Sequence, residues 1–142
     1  MSVAREDLLG SWELVDIVDA RTGETPRSTL FGSNPQGVLH YLANGQMAVM
    51  IQHPERARIE GGRTGGSDEA WRKAVRAFTA YGGTYTIEPE RVVHHVAFDS
   101  FPNGVGTDRV RLARLEDGLL VLEVPPGNPD ESVMRLRWKR LV

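Results

Sequence analysis

Two adjacent imidazoles, His94 and His95, stand inside an otherwise apolar segment, Val92-Val93-His94-His95-Val96-Ala97-Phe98. Near neutral pH an imidazole can move a proton or orient a ligand carbonyl. Neighbours in an extended strand point to opposite faces, so this pair cannot together chelate one metal ion. His94 shares its phase with Val92, Val96 and Phe98, and His95 with Val93, Ala97 and Asp99, so alternation favours His94 inside. Both are candidate acid–base catalysts, set against the plainer reading of a hydrogen-bonded core histidine. Tyr41, Tyr81 and Tyr85 join an apolar body to a polar tip, suited to lining a pocket and bonding a ligand oxygen, although core packing explains them too. Tyr81 and Tyr85 are expected toward the open end of the fold. Met47 shares a face with Val49 and Ile51. Asn103, in Pro102-Asn103-Gly104, either donates to a ligand or closes a turn. Arg111, in phase with neither Val110 nor Leu112, reads as an outward arginine in a cross-strand charge pair.

Other signatures are absent. The chain has no Gly-x-Ser-x-Gly elbow, and Gly61-Gly62-Arg63-Thr64-Gly65-Gly66 lacks the ending of a phosphate loop. His40, His53, His94 and His95 have no zinc spacing. Neither a metal nor a cofactor is expected.

Period-two alternation positions these residues on eight strands: Leu9 to Val18, Gly37 to Leu42, Gln46 to Gln52, Thr84 to Glu88, Arg91 to Asp99, Thr107 to Leu115, Leu119 to Val124, and Ser132 to Leu141. On the first, Trp12, Leu14 and Val18 share one face and Val15 and Ile17 the other. One helix is predicted between strands 3 and 4. Ser67 is its N-cap, Asp68 and Glu69 suit its positive end, Trp71, Ala74, Val75 and Phe78 form its stripe, and Gly82-Gly83 terminates it. That stripe packs on the barrel, moves as a lid, or leaves a surface for a homodimer. Tight turns at Ala43-Asn44-Gly45, Glu88-Pro89-Glu90 and Glu116-Asp117-Gly118 alternate with long connections. Strands running antiparallel in order place all the short turns at one end. The predicted fold is all-β, an eight-stranded antiparallel up-and-down barrel with its mouth at the long connections. Closure brings Arg140 near Trp12, where it is either a cation over an indole or a surface arginine at a frayed terminus.

The 142 residues fit one domain, 1–142. A net charge of -2 and a pI near 6.1 give no footprint for nucleic acid or a membrane surface. Fifteen arginines against two lysines are scattered without a stripe. Cysteine is absent and the amino terminus has no apolar signal core, which predicts a cytoplasmic protein.

Gly10-Ser11-Trp12 opening the first strand, with a basic residue near the end of the last, resembles the closed-end signature of the calycin superfamily. More of the chain resembles the bacterial and fungal lipocalin-like domain family. The matching residues are Phe31-Gly32, Gly37-x-Leu39-x-Tyr41, Asn44-Gly45-x-Met47, Tyr81, Gly83-Thr84-Tyr85, Val93-His94-His95-Val96, Pro102-Asn103, and Gly106-Thr107 with Arg111. The resemblance implies a lipocalin-like barrel binding small, largely apolar molecules, with some relatives acting as cyclases or isomerases, and it hints at an inward or bridging Arg111. The chain departs from secreted lipocalins in the place of its helix and in lacking disulfides.

The expected function is therefore intracellular binding of a small, largely apolar, lipid- or polyketide-like molecule. A cyclase or isomerase acting on such a molecule is the alternative, and a solid barrel that binds a partner is the third reading. The candidate site is His94 and His95 for chemistry, with Tyr41, Met47, Tyr81, Tyr85, Phe98, Asn103 and Arg111 for ligand binding. An inward phase of Leu14, Val49, Ile51, Val96, Phe98, Leu120, Leu122 and Leu136 supplies an apolar wall, whether the lumen is open or filled.

Overall fold

Eight antiparallel strands close on themselves in chain order, with the last returning to pair with the first. The computed structural model describes residues 3–26, 30–127 and 133–142. Its strands are β1 Gly10–Asp19, β2 Gln36–Tyr41, β3 Gln46–Gln52, β4 Phe78–Glu88, β5 Arg91–Asp99, β6 Asp108–Glu116, β7 Leu119–Glu123 and β8 Met134–Arg140. A one-turn helix, α1 (Arg5–Leu8), precedes β1, and α2 (Asp68–Arg76) lies between β3 and β4. This is the predicted all-β up-and-down barrel. Ser132, where the sequence starts strand 8, lies outside the described residues.

The turn-rich end is sealed as the closure argument requires. Trp12 and Arg140 are register partners, and the guanidinium lies 4.2 Å from the indole centroid. Arg140 also donates to Leu9 O at 2.6 Å and Asp7 O at 2.8 Å, while Trp12 Nε1 donates to Leu8 O at 2.9 Å. One charge therefore ties the last strand to the chain that enters the first. α1, which alternation could not signal, carries Leu8 into the core beside Val3.

Three local departures from simple alternation reset the faces. In β1 the pairing with β8 slips between Leu14 and Asp16. The extra residue, Val15, is 43% exposed, and Ile17 becomes buried in place of Val18. In β5 the pairing with β4 slips between Gly82 and Gly83, whose partners are Phe98 and Val96, so Ala97 is the extra residue. Such a bulge flips every side chain beyond it. Phe98, expected inside, is consequently on the outer face and 77% exposed, and Asp99 turns inward.

The third departure is at α2. Ser67 caps it as predicted, accepting from Ala70 N at 3.1 Å, but the helix stops at Arg76 and Phe78 already opens β4. The glycine pair that reads as a helix stop lies inside the strand. A Cβ on Gly83 would stand 1.9 Å from His95 O, so the backbones at the bulge approach too closely for any side chain. The helix lies outside the barrel with no buried residue, and Trp71 and Val75 remain exposed. Among the described residues no helix is long and apolar enough to cross a membrane.

Gly83→Ala is expected to destabilise the fold by more than about 2 kcal/mol, because the clash is with backbone that belongs to the sheet. A denaturant melt beside the parent protein checks this; an unchanged midpoint would remove the close approach as a determinant of the bulge.

Candidate functional site

Antiparallel partners share a face, so the register sorts each candidate residue. Tyr85 pairs with His94, Gly83 with Val96, and Tyr81 with Asp99, while on the next strand His94 pairs with Arg109 and Val92 with Arg111. Val92, fully buried in the core, marks this set as the inner face. Its polar members are Tyr81, Tyr85, His94, Asp99, Arg109 and Arg111, joined across the barrel by Tyr41 of β2. The opposite wall is apolar, with Leu14, Leu39, Val49, Ile51, Leu120 and Leu122 buried.

At the centre stands His94, 1% exposed. Its Nε2 lies 2.7 Å from Tyr41 Oη and its Nδ1 lies 2.8 Å from Tyr81 Oη. Burial, then the charges of Arg111 and Arg109, hold its pKa down to about 3, so the ring is neutral at physiological pH. Burial also raises the Tyr41 pKa well above the ordinary phenol value, which keeps that hydroxyl protonated. Tyr85 meets Tyr41 edge-on, with centroids 4.9 Å apart, and donates to Leu42 O at 2.8 Å. Tyr85 therefore points to the sealed end, contrary to the expectation that it lies near the mouth. The reason is the early start of β4, which places Tyr85 close to the β4–β5 hairpin.

Tyr81 is nearer the mouth, with the Arg109 guanidinium 4.4 Å above its ring. Arg109 is fixed by Asp99, 2.5 Å away, whose carboxylate also accepts from Phe101 N at 2.8 Å. Arg111 lies inward, beside Val92, so strand phase with its neighbours misplaces it and the family resemblance places it better. Met47 is buried at the sealed end, opposite Tyr41. Asn103 lies in the short turn Pro102–Gly104 and is exposed. Arg109 and Asp99 were missed. The alternation of Arg109 with Arg111 carried a signal for the first, and the glycine doublet opposite the bulge carried one for the second.

His95 is on the outside, as alternation favours. Its Nε2 lies 2.6 Å from Thr86 Oγ1 and its Nδ1 2.8 Å from Asp108 Oδ1. The two histidines therefore serve opposite sides of the wall. His95 and Phe98 border an outer cleft of about 470 Å³. Another cleft, of about 450 Å³, lies where the pairing of β1 with β2 ends at Glu13 and Val38. Its lining includes Leu14, Gly37, Ile51 and Phe78 but none of the candidate site residues. Leu14 and Ile51 also belong to the interior cluster, so this cleft reaches the inner layer of the wall.

The Trp138 indole nitrogen is buried with no hydrogen-bond partner among the described residues. A buried donor left unmatched costs about 1–3 kcal/mol. Also among the described residues, no three His, Asp or Glu side chains gather in a way that could hold a metal ion.

A closed eight-stranded up-and-down barrel with one polar cluster on an apolar interior defines a lipocalin-like β-barrel. The model of the lipocalin-like domain matches residues 9–141, nearly the whole chain, and the protein belongs to that family. It is also similar to the 4′-hydroxy-3′-methoxypropiophenone carrier protein of Aspergillus oryzae, with 29% identity over 109 residues, covering 67% of this chain and 96% of the relative.

The neutral His94 has a thermodynamic signature. Unfolded, it titrates near the ordinary value of 6.5, whereas in the fold it resists protonation to about 3, so between these values the unfolded chain binds more protons. Its contribution is complete above about pH 6.5 and is lost as the pH falls toward 3, at up to roughly 1.4 kcal/mol per pH unit. His94→Gln, which keeps one donor and one acceptor, is expected to flatten the decline in stability between pH 6.5 and pH 4.5. Denaturant midpoints measured for both proteins across that window check this; parallel slopes would mean that His94 is not held neutral.

Proposed function

We propose that this protein binds and carries, inside the cell, a small and largely apolar molecule that bears oxygen, of the aromatic-ketone or polyketide-like kind. The observation that carries this reading is the Tyr41–His94–Tyr81 cluster, a single hydrogen-bonding station set into an apolar barrel interior. Apolar walls supply binding free energy, and one convergent polar group fixes orientation. The relative from Aspergillus oryzae, named as the carrier of a ketone with phenol and methoxy oxygens, supports the same ligand class. A chain without cysteine needs no oxidising compartment to fold, in keeping with an intracellular setting.

Carriage is favoured over cyclase or isomerase chemistry by the state of His94. With a pKa of about 3, its protonated form at pH 7 is roughly one part in ten thousand, so it has almost no acid form to donate. His95 faces outward between Thr86 and Asp108. Neither imidazole is placed as a general acid for a molecule inside the barrel.

4′-Hydroxy-3′-methoxypropiophenone, titrated against intrinsic tryptophan fluorescence, is the first probe. Saturable one-to-one quenching is expected. Leu136→Trp, which adds bulk at an inner position packed on the core, should weaken binding at least about tenfold with the far-ultraviolet spectrum retained. His95→Ala should bind like the parent protein. Absence of saturable binding, or equal affinity in Leu136→Trp, would place the ligand class or its location elsewhere.

A further inference from the structure

Deepening the carrier reading, and resting on it, we infer that the barrel has a second opening in its side, between β1 and β2, and that the carried molecule exchanges through it faster than through the mouth. The sheet is weakest there. β1 and β2 are paired from Gly10 and Tyr41 as far as Glu13 and Val38. Among the described residues beyond that point, β1 is paired with β8 alone and β2 with β3 alone, so parting the two strands breaks no ladder hydrogen bond. The bulge at Val15 follows directly, and a bulge bends the strand that carries it.

Side chains close the gap. Gly37 of β2 shares the inner face with its register partner Ile51, and a Cβ on it would stand 3.3 Å from Leu14 Cβ and 3.1 Å from Ile51 Cγ1. Two aliphatic side chains therefore fill the place where a third would otherwise stand. Leu14 and Ile51 both line the cleft of about 450 Å³ outside and belong to the apolar cluster inside. A change of rotamer at this pair opens the way between the two without breaking a hydrogen bond or stranding a charge. The cleft also suits the ligand class. Its volume lies in the range of small-molecule pockets, and Val38, Met50 and Phe78 offer apolar surface to an aromatic body. Gln36 and Gln52, hydrogen-bonded to each other at 3.1 Å, set amide groups at its rim for a ligand oxygen.

The mouth is the harder route. Beside Tyr81 the Arg109 guanidinium is paired with Asp99, whose side chain is fully buried, and Gly104 of the β5–β6 connection packs against that carboxylate with no room for a Cβ. Passage there separates a buried ion pair, and a buried charge without its partner is strongly unfavourable. Passage at the side moves apolar groups past apolar groups. The side opening is thus a kinetic feature, which sets how fast the molecule is taken up and delivered and leaves the affinity of the interior unchanged.

The chain has no cysteine, so introduced thiols read the gate cleanly. Leu14→Cys is compared with Val49→Cys, because both parent residues face inward and are similarly buried, at 7% and 5% exposure. N-Phenylmaleimide at pH 7 without denaturant should label the Leu14→Cys protein at least about tenfold faster than the Val49→Cys protein. Equal rates would mean that the side stays shut, whatever the protein binds. In Leu14→Cys/Gly37→Cys the two Cβ atoms fall close to the span of a disulfide, about 3.5–4.5 Å. Stopped-flow tryptophan quenching by 4′-hydroxy-3′-methoxypropiophenone should show association and dissociation both at least about tenfold slower in the oxidised form than in the reduced form, with Kd unchanged. The reduced form controls for the fold, and Leu14→Ala, which thins the gate, should accelerate both rates over the parent protein. Rates indifferent to the disulfide and to Leu14→Ala would overturn the side route while the carrier reading stands. If the parent protein does not bind this ketone, the route falls together with that ligand class, and the labelling rates still decide whether the side opens.

Discussion

Everything in this molecule depends on the closure of β1 against β8. A closed sheet has no free edge, so no strand can slide without breaking hydrogen bonds on both sides, and the face of every side chain becomes a property of the whole ring. The seam is fixed at its sealed end by Arg140, which spans Trp12 and the carbonyls of Asp7 and Leu9. Further along, Arg137 pairs with Asp16 and Arg135 with Glu123, so arginines bind β8 to both of its neighbours. The arginine-rich composition, which looked unpatterned along the chain, is partly organised by this seam.

Within such a ring, polarity inside the barrel is decided by register. The inner polar cluster lies on β4, β5 and β6, with one contribution from β2, and the rest of the wall is apolar. The segregation has an electrostatic consequence. Asp99 compensates Arg109 at short range, while the positive charges near His94 reinforce desolvation in keeping that imidazole neutral. Two phenols and a neutral ring can then share protons as dipoles without placing an ion among them, a less costly arrangement for an apolar interior than a buried charge.

The sequence made the architecture legible because strand alternation, hairpin dipeptides and the Trp12–Arg140 pairing all pointed to one closed topology. It placed His94 inside for the same reason. It failed where period two fails. The bulges at Val15 and Ala97 each add a residue that no local pattern announces, and they reversed the expected faces of Ile17 and Val18, and of Phe98 and Asp99. The Gly82-Gly83 pair carried a true signal that was assigned to the wrong event, since glycine ends a helix and also admits the close backbone approach of a bulge. α1 escaped notice because four residues are too few for a helical period to show.

The Ala97 bulge means that one residue of chain length acts as a phase shifter for the mouth. Without it, Asp99 would face solvent, Phe98 would face the lumen, and Arg109 would lose its buried counter-ion while the composition of the strand hardly changed. Family members that differ here by a single insertion or deletion would present chemically opposite entrances on the same barrel. The polarity of the doorway is in that sense written in counting, and a comparison by residue identity alone would overlook it.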